Sequence, residues 1–353
     1  MQTKKIIASL ACLLISVNTI FAAVPLGKPA AIVKFNGQTF PITETELNTQ
    51  VESVVAMYKA QGQNLNASDI KIKVLDSMID NILLEAGAAR DGVVISDSQL
   101  NQLFLQQKYS IEQQAGRSFS DSEFEQIISQ QVGSVDEYKE YLKSQSVINQ
   151  YLLLKKGNKF TGDSALPTED EINGYYRANK SSLINPECVN IGQIFVPFSD
   201  NDTNNSNETL LKKVAADLKS YKISWNNAVS KYNEDVSNTK SDGDIGWLTQ
   251  DDDQNIKTVL GLEYFNTAFD LDVGKTSDLI ITSQGYHIIK VKQHLDAKFL
   301  DLDDPISPAD STTVREYITE SLANQKTQIL AENALIELSQ DLREDATITY
   351  LTK

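Results

Sequence analysis

The sequence predicts an α+β protein, with a mainly helical region and a smaller region of mixed strands and helices. Apolar residues recur at three- and four-residue spacing through much of residues 43–156 and again over 311–342, which is the period of an amphipathic helix. Between residues 187 and 294 the pattern changes to short apolar runs bounded by Gly, Asn and Asp, which is typical of strands joined by turns. The length, 353 residues, and the apolar fraction, 41%, suit two or three globular domains.

The composition excludes several classes of function. The chain has 48 Asp+Glu against 32 Lys+Arg, and this acidic balance disfavours nucleic acid as a partner because phosphate binding depends on basic residues. Two His and two Cys cannot build a zinc finger or a three-His site, so no metal is predicted. The chain also lacks a Gly-rich phosphate loop and a G-x-S-x-G motif. We therefore expect no cofactor and neither nucleotide nor protease chemistry.

The N-terminus has the pattern of a secretory signal peptide. Lys4 and Lys5 precede an apolar stretch over residues 6–17, and small residues follow at Ala22 and Ala23. We predict a signal peptide over residues 1–22 and an exported mature chain in the periplasm or cell envelope.

The two cysteines lie far apart in the sequence. Cys12 falls in a segment that faintly resembles a lipoprotein box, but the apolar core continues past it, which argues against a lipid anchor. Once the signal peptide is removed, Cys188 has no partner for an intramolecular disulfide.

Local signals divide the helical region into elements. Asn36-Gly37 between two short apolar runs predicts a β-hairpin, because this pair tolerates positive φ in a tight turn. Five pairs have the spacing of a capping box at a helix start: Thr43 with Glu46, Ser96 with Gln99, Ser120 with Glu123, Ser134 with Glu137, and Thr168 with Glu171. Residues 346–351 alternate in the manner of a strand.

Three motifs in the central region carry a resemblance to a known family. These are Gly243-Asp-Ile-Gly-Trp-Leu248, Glu263-Tyr-Phe-Asn-Thr-Ala-Phe269 and Gly285-Tyr-His-Ile-Ile289, which follow an apolar strand over residues 189–196. Their order and spacing resemble a parvulin-type peptidyl-prolyl cis-trans isomerase domain. The resemblance implies a four-stranded antiparallel sheet flanked by helices.

The flanking segments resemble exported foldases of the SurA, PrsA and PpiD type. The hairpin that leads into Ile42-Thr-Glu-Thr-Glu-Leu47 is similar to their N-terminal chaperone domain, to which the C-terminal helix commonly returns. The strand over 346–351 could then pair with the strand over 31–35. We expect these domains along the chain: 1–22 signal peptide, 23–165 helical chaperone domain with a short hairpin, 166–186 connecting helix, 187–294 parvulin domain, and 295–353 a helix and strand that pack on the N-terminal domain.

The resemblance also implies an active site. Tyr264 and Leu260 would line an apolar pocket for the proline ring, with Leu248 and Phe269 close by. Leu260 is equally well explained as a core residue, and for Leu248 and Phe269 the core explanation is the better one. The tyrosine stands where the family usually has Phe, so its hydroxyl needs a partner or a wet pocket rim.

Three polar residues complete this predicted site. Asp235 stands where bacterial members often place an acid near the substrate carbonyl, although Asp also favours turns. His287 matches the second of the family's paired histidines. The alternative is a histidine whose hydrogen bonds are satisfied within its strand and that takes no part in the active site. The position of the first histidine is occupied by Gln193, which retains hydrogen-bonding capacity but changes the electrostatics around Asp235.

Two acidic segments bear on ligands. Residues 199–208 are expected to form a loop after the first strand, and this segment lacks Lys and Arg. It would repel a phosphate group, so phosphate-directed isomerisation is not expected. Asp251-Asp252-Asp253 is better explained as a solvated loop than as a cation site.

The function expected from these observations is that of an exported folding factor. It would bind unfolded or partly folded envelope and outer-membrane proteins and isomerise non-phosphorylated X-Pro bonds. Two alternatives stay open: a non-catalytic holdase whose parvulin domain only binds peptide, which Gln193 favours, and a surface-exposed antigen or adhesin.

Overall fold

The computed structural model describes residues 27–235, 242–251 and 256–352. The predicted signal peptide, with Cys12, and Asp252-Asp253 lie outside the described residues. The chain divides into two compact units. The first unit holds the chain up to Ala165 and from Gln325 onward, and the second unit holds Leu166–Asn324.

The elements up to the first division are, in chain order, β1 (Pro29–Phe35), β2 (Gln38–Thr43), α1 (Glu44–Ala60), α2 (Ala67–Arg90), α3 (Asp97–Ala115), α4 (Asp121–Val132) and α5 (Val135–Lys156). Those that follow are α6 (Glu169–Asn179), β3 (Ile184–Asn185), β4 (Cys188–Pro197), α7 (Asn201–Lys219), α8 (Trp225–Tyr232), β5 (Asp244–Thr249), α9 (Ile256–Val259), α10 (Gly261–Asp270), β6 (Ile280–Ile281), β7 (Gly285–Leu295), β8 (Lys298–Phe299), α11 (Val314–Glu344) and β9 (Thr347–Tyr350). Two short 3₁₀ turns, Gly157–Lys159 and Gly162–Ala165, follow α5, and a third, Lys180–Ser182, follows α6.

A three-stranded sheet in the order β2-β1-β9 joins the two ends of the chain in the first unit. Asn36 and Gly37 have φ values of 49° and 77°, so the predicted tight turn connects β1 to β2. Val33 of β1 faces Ile348 of β9 in an antiparallel register. The pairing expected between the first and last strands is therefore present.

The predicted capping boxes fix where the helices begin. At Thr43, Ser96, Ser120 and Thr168 the hydroxyl accepts from the N3 amide while the N3 side chain accepts from the cap amide. The Ser134 hydroxyl accepts from the Glu137 amide at 3.1 Å and donates to the Glu137 carboxylate at 3.0 Å. The run of helices predicted over residues 43–156 is confirmed.

The core of the first unit is centred on α2. This helix buries an apolar face that includes Leu75, Ile79 and Leu83, and α5 and α11 pack against it with Tyr151 and Leu342. A second cluster, formed by α3, α4 and α5, includes Phe124, Ile128 and Tyr138.

Polar contacts fix the end of α11 and β9 to α2. The Arg343 guanidinium forms an ion pair with Asp80 and donates to the backbone carbonyl of Asp76 at 3.0 Å. The Tyr350 hydroxyl of β9 donates to the Asp76 carboxylate at 2.5 Å. The last strand is therefore fixed by side chains as well as by its pairing with β1.

The second unit is built on a four-stranded antiparallel sheet in the order β5-β4-β7-β6. Helices α7 and α8 cover one face, where Ile194 and Ile288 are buried, and α10 covers the other, where Ile191 and Ile289 are buried. This alternation follows from the two-residue period of a strand. The predicted fold class, helical domain plus parvulin-type sheet flanked by helices, is confirmed.

The prediction of a loop over residues 199–208 was wrong, because most of this segment is helical. Helix α7 begins at Asn201, and Asp200 caps it, since its carboxylate accepts from the Thr203 amide at 2.9 Å. A run of Asn, Asp and Ser resembles a loop in composition, but these residues also suit a helix N-terminus.

A smaller cluster completes the second unit. Strands β3 and β8 pair, with Ile184 opposite Phe299, and Ile172, Leu300 and Val314 pack in the adjoining core. In the part of the chain that the structure describes, no helix has both the length and the apolar composition to cross a membrane.

The close contact of α2 with its neighbours gives a stability prediction. A Cβ at Gly87 would lie 2.9 Å from Leu342 and 3.0 Å from the Tyr151 hydroxyl, and both side chains are buried. We expect Gly87→Ala to lower the free energy of unfolding by about 1–3 kcal/mol, because a packed core resists added volume. Urea unfolding followed by circular dichroism measures this change.

The matched control is Gly174→Ala in α6, where an added Cβ meets no atom within 4 Å among the described residues. This variant should be neutral or stabilised by up to about 1 kcal/mol, because alanine favours a helix interior over glycine. Equal effects of the two substitutions would contradict the packing described for α2.

Candidate active site

The pairing of β4 with β7 brings two polar side chains into an apolar layer. Gln193 continues the alternating series of Val189 and Ile191, and His287 begins the series that continues with Ile289, so both side chains point to the face covered by α10. Exposure is 8% for Gln193 and 2% for His287. Buried polar groups of this kind require hydrogen-bond partners.

The side chain of Gln193 makes three hydrogen-bond contacts with its neighbours. Its Oε1 accepts from the Tyr264 hydroxyl at 3.0 Å and lies 3.3 Å from His287 Nδ1. Its Nε2 donates to Asp235 Oδ2 at 3.2 Å. The residue at the position of the missing histidine thus connects the other three polar residues of the predicted site.

His287 is enclosed on several sides. Its Nε2 lies 2.9 Å from the Thr282 hydroxyl, and the rings of Phe195 and Tyr264 lie 4.7 and 5.1 Å from its own. Burial lowers the pKa of His287 to about 4, and the negative charge of Asp235 only partly opposes this shift. The imidazole is therefore neutral at physiological pH.

Tyr264 lies inside the second unit rather than at its surface. The side chain is fully buried on α10, and burial together with the Asp235 charge raises the pKa of its hydroxyl. The partner that this hydroxyl requires is Gln193. The structure thus accounts for tyrosine in place of the expected phenylalanine.

Asp235 is the partly exposed member of the group. It follows α8 in a segment fixed along β4, where the Asn233 side chain accepts from the Phe195 amide at 2.8 Å and the Glu234 amide donates to the Phe195 carbonyl at 2.8 Å. These bonds place the Asp235 carboxylate beside Gln193.

Gly243 permits the chain to pass directly over Gln193. Its carbonyl accepts from the Gln193 amide at 2.8 Å, and an added Cβ would lie 2.5 Å from the Gln193 carbonyl oxygen. Its φ of 71° also favours glycine. The first glycine of the Gly-Asp-Ile-Gly motif is therefore a structural requirement of the site.

The apolar residues of the predicted pocket differ in their exposure. Leu248 is 4% exposed and lies in the core cluster beneath α10, whereas Leu260 and Phe269 are partly buried at its edge. Exposed apolar side chains lie close by along the chain at Val259 and Leu262, the latter 63% exposed.

Sequence reasoning did not identify Thr282, Asn233 and Ser283 as parts of the site. Thr282 contacts the imidazole, Asn233 orients the Asp235 segment, and the Ser283 hydroxyl donates to the Val259 carbonyl at 3.0 Å. The available signal was local: Asn directly after a helix and Thr-Ser before a glycine mark turns that fix side chains.

The first unit contains a separate cavity of about 360 Å³ between α1 and α2. Its lining is mainly apolar, with one lysine, and comprises Gln50, Val54, Met57, Tyr58, Leu65, Ile70, Lys73, Val74 and Ser77. Such a lining can accept an apolar side chain of another polypeptide.

The low pKa of His287 predicts a pH dependence of stability. Its ordinary pKa is 6.5 and its folded value is about 4, so between these values the unfolded chain binds more protons. The free energy of unfolding should therefore fall by up to about 2 kcal/mol from pH 7 to pH 5. Urea unfolding at the two pH values measures this, and His287→Gln should show a smaller fall. An equal fall in both proteins would contradict a buried neutral imidazole.

Comparison with known families agrees with the two units. A SurA-like N-terminal domain family matches residues 1–152, and the PPIC-type PPIase domain family matches residues 167–304. The chaperone SurA of Methylobacillus flagellatus is 24% identical over 322 residues, which cover 87% of this chain and 68% of that relative.

One solved structure similar to this chain comes from work on PEB4 and Cj1289, two SurA-like chaperones of Campylobacter jejuni. It is 17% identical in sequence, the match covers 89% of this chain and 97% of that chain, and the TM-score is 0.31. Another is PrsA of Bacillus anthracis, with 17% identity, 76% and 97% covered, and a TM-score of 0.27. The resemblance found in the sequence is confirmed by the family matches: the chain contains a SurA-like N-terminal domain and a PPIC-type peptidyl-prolyl isomerase, or parvulin, domain.

Proposed function

We propose that this protein is an exported folding factor that binds non-native polypeptides and isomerises non-phosphorylated X-Pro bonds. The observation that carries the catalytic part is the hydrogen-bonded group of Asp235, Gln193, His287 and Tyr264 beside exposed apolar side chains. A site for this reaction needs a grip on the proline ring and a suitable electrostatic environment, but no nucleophile, because no covalent bond breaks.

The electrostatic part of the mechanism follows from amide resonance. A planar amide carries partial negative charge on its oxygen, and twisting the C–N bond removes that resonance at a cost of about 18–20 kcal/mol. A fixed negative charge beside the carbonyl oxygen is less unfavourable in the twisted form than in the planar form. The partly exposed Asp235 carboxylate is the group that would supply this charge.

The proposed roles divide according to exposure. Asp235 touches the substrate, while Gln193 and His287 act on the carboxylate from the interior. Leu260, which is partly buried, lines the proline pocket, whereas the Phe269 ring lies 6.3 Å from that of His294, at the other end of β7 from His287. Leu248 and Tyr264, which are buried, support the pocket from behind.

The chaperone part of the proposal is supported by the SurA-like domain and by the apolar cavity of the first unit. We propose that non-native envelope or outer-membrane proteins insert apolar side chains there. The signal-peptide pattern of residues 1–22 supports export to the periplasm or cell envelope, and the acidic composition suits a soluble chaperone. A non-catalytic holdase is the second candidate, and the replacement of a family histidine by Gln193 favours it.

The catalytic proposal predicts that the charge of Asp235 is required. Asp235→Asn keeps the shape but removes the charge, so kcat/KM should fall about tenfold or more. The measurement is exchange NMR on unphosphorylated Ala-X-Pro-Phe peptides with the mature protein.

A phosphoserine-Pro peptide should be a poorer substrate, because Asp200 and Asp202 begin α7 and residues 199–211 contain no Lys or Arg.

The matched control is Asp251→Asn, which removes one negative charge from an exposed position just after β5. This variant should retain the activity of the original chain. Bound peptide without any isomerisation would support the holdase instead, and equal activity in the two variants would refute the role given to Asp235.

The chaperone proposal predicts a separable defect in the first unit. Met57→Lys places a charge in the cavity lining and should weaken suppression of the aggregation of reduced insulin, while isomerisation stays unchanged. Ala56→Lys, on an exposed position of the same helix, is the control. Conversely, Asp235→Asn should suppress aggregation normally. Loss of suppression in Ala56→Lys and Met57→Lys alike would argue against this cavity as the client site.

A further inference from the structure

We infer that Tyr264 and Gln193 form a positioning relay: the tyrosine hydroxyl fixes the Gln193 amide, and the amide fixes both the tautomer of His287 and the Asp235 carboxylate. The consequence for turnover rests on the proposed function. The hydrogen-bond arrangement itself does not depend on it and can be tested separately.

The orientation of the Gln193 amide follows from its partners. An ionised carboxylate only accepts hydrogen bonds, so the group that faces Asp235 Oδ2 at 3.2 Å is the NH₂ end. The carbonyl end then faces Tyr264 and His287, and the tyrosine hydroxyl donates to it at 3.0 Å. Rotating the amide by half a turn would place its oxygen against the carboxylate, which is repulsive.

The tautomer of His287 follows from the same logic. Because the Gln193 carbonyl oxygen only accepts, His287 Nδ1 must carry the proton to bond with it at 3.3 Å. Nε2 is then the acceptor, and the Thr282 hydroxyl at 2.9 Å donates to it. Thr282 Oγ1 already accepts from the Gln284 amide at 3.1 Å, and the other acceptor within reach of its proton, the Gly285 carbonyl, lies farther away at 3.5 Å, which favours donation to the ring.

The charged surroundings of His287 are simple. The Asp235 carboxylate is the charged group that raises the pKa of His287. The Tyr264 ring packs against the imidazole, and its hydroxyl keeps its proton because burial raises the pKa of that hydroxyl. Burial lowers the pKa of the imidazole itself. A second histidine at position 193 would add a titrating group beside Asp235, whereas glutamine keeps one charge state throughout.

The relay gives Tyr264 a role distinct from that of a pocket wall. Its hydroxyl acts on the substrate only through Gln193 and Asp235, so its loss should lower kcat rather than raise KM. The expected decrease in kcat for Tyr264→Phe is about threefold to tenfold, the effect of one hydrogen bond.

The test uses long-range ¹H–¹⁵N NMR correlations of the histidine rings in the mature protein. The sequence contains only two histidines, and His294, which bonds to Glu187 at 2.8 Å outside this group, serves as an internal reference. His287 should show a single Nδ1–H neutral form from pH 5.5 to pH 8. Gln193→Met, which has a similar shape and no hydrogen bonds, should produce a mixture of tautomers, and His294 should not change.

A second experiment compares kcat and KM of Tyr264→Phe with those of Tyr286→Phe. Tyr286 is also buried and donates one hydrogen bond, to the Asn204 carbonyl at 3.1 Å, but its side chain lies on the opposite face of the sheet. Tyr286→Phe should keep kcat, whereas Tyr264→Phe should lower it with KM unchanged.

Each outcome has a distinct meaning. An Nε2–H tautomer in the unmodified chain, titration of His287 near pH 6.5, or an unchanged ring signature in Gln193→Met would overturn the relay. An equal kcat in the two tyrosine variants would remove Tyr264 from it. The expected ring signatures without any isomerisation would support the relay and refute the proposed function.

Discussion

The antiparallel pairing of β4 with β7 is the contact on which the candidate site depends. It joins residues about a hundred positions apart and sets Gln193 and His287 on the same face of the sheet. A shift of one residue in this register would turn the side chains of one strand over relative to the other and place Gln193 and His287 on opposite faces of the sheet. Register, rather than any local motif, therefore assembles the polar group in an otherwise apolar layer.

Burial then determines the chemistry of that group. Gln193, His287 and Tyr264 are almost fully enclosed, so each polar atom must find a partner inside the protein. The hydrogen bonds that satisfy them lead outward to Asp235, which is partly exposed. A neutral interior thus supports one charge at the surface, and this arrangement explains why a glutamine can replace a histidine without leaving an unsatisfied neighbour.

Much of the fold was predictable from the sequence because the signals for it are local. Asn36-Gly37 requires a turn, four capping boxes form as expected, and the ordered motifs identify the parvulin sheet. The loop predicted for residues 199–208 was wrong because Asn and Asp suit loops and helix starts equally. Turn signals mark the positions of Thr282 and Asn233, but not their roles, since their contacts arise only when the sheet and the segment after α8 are in place. Periodicity also cannot separate Leu248, which is buried, from Leu260 at the edge.

We propose that a glutamine-linked group with a neutral imidazole supports isomerisation without a titrating histidine. The most direct measurement is the pH dependence of kcat/KM for the mature protein on an unphosphorylated X-Pro peptide, between pH 5.5 and pH 8.5. Because the pKa of His287 is about 4, the profile should be flat over this range. A step in activity near pH 6.5 that disappears in His287→Gln would contradict the account.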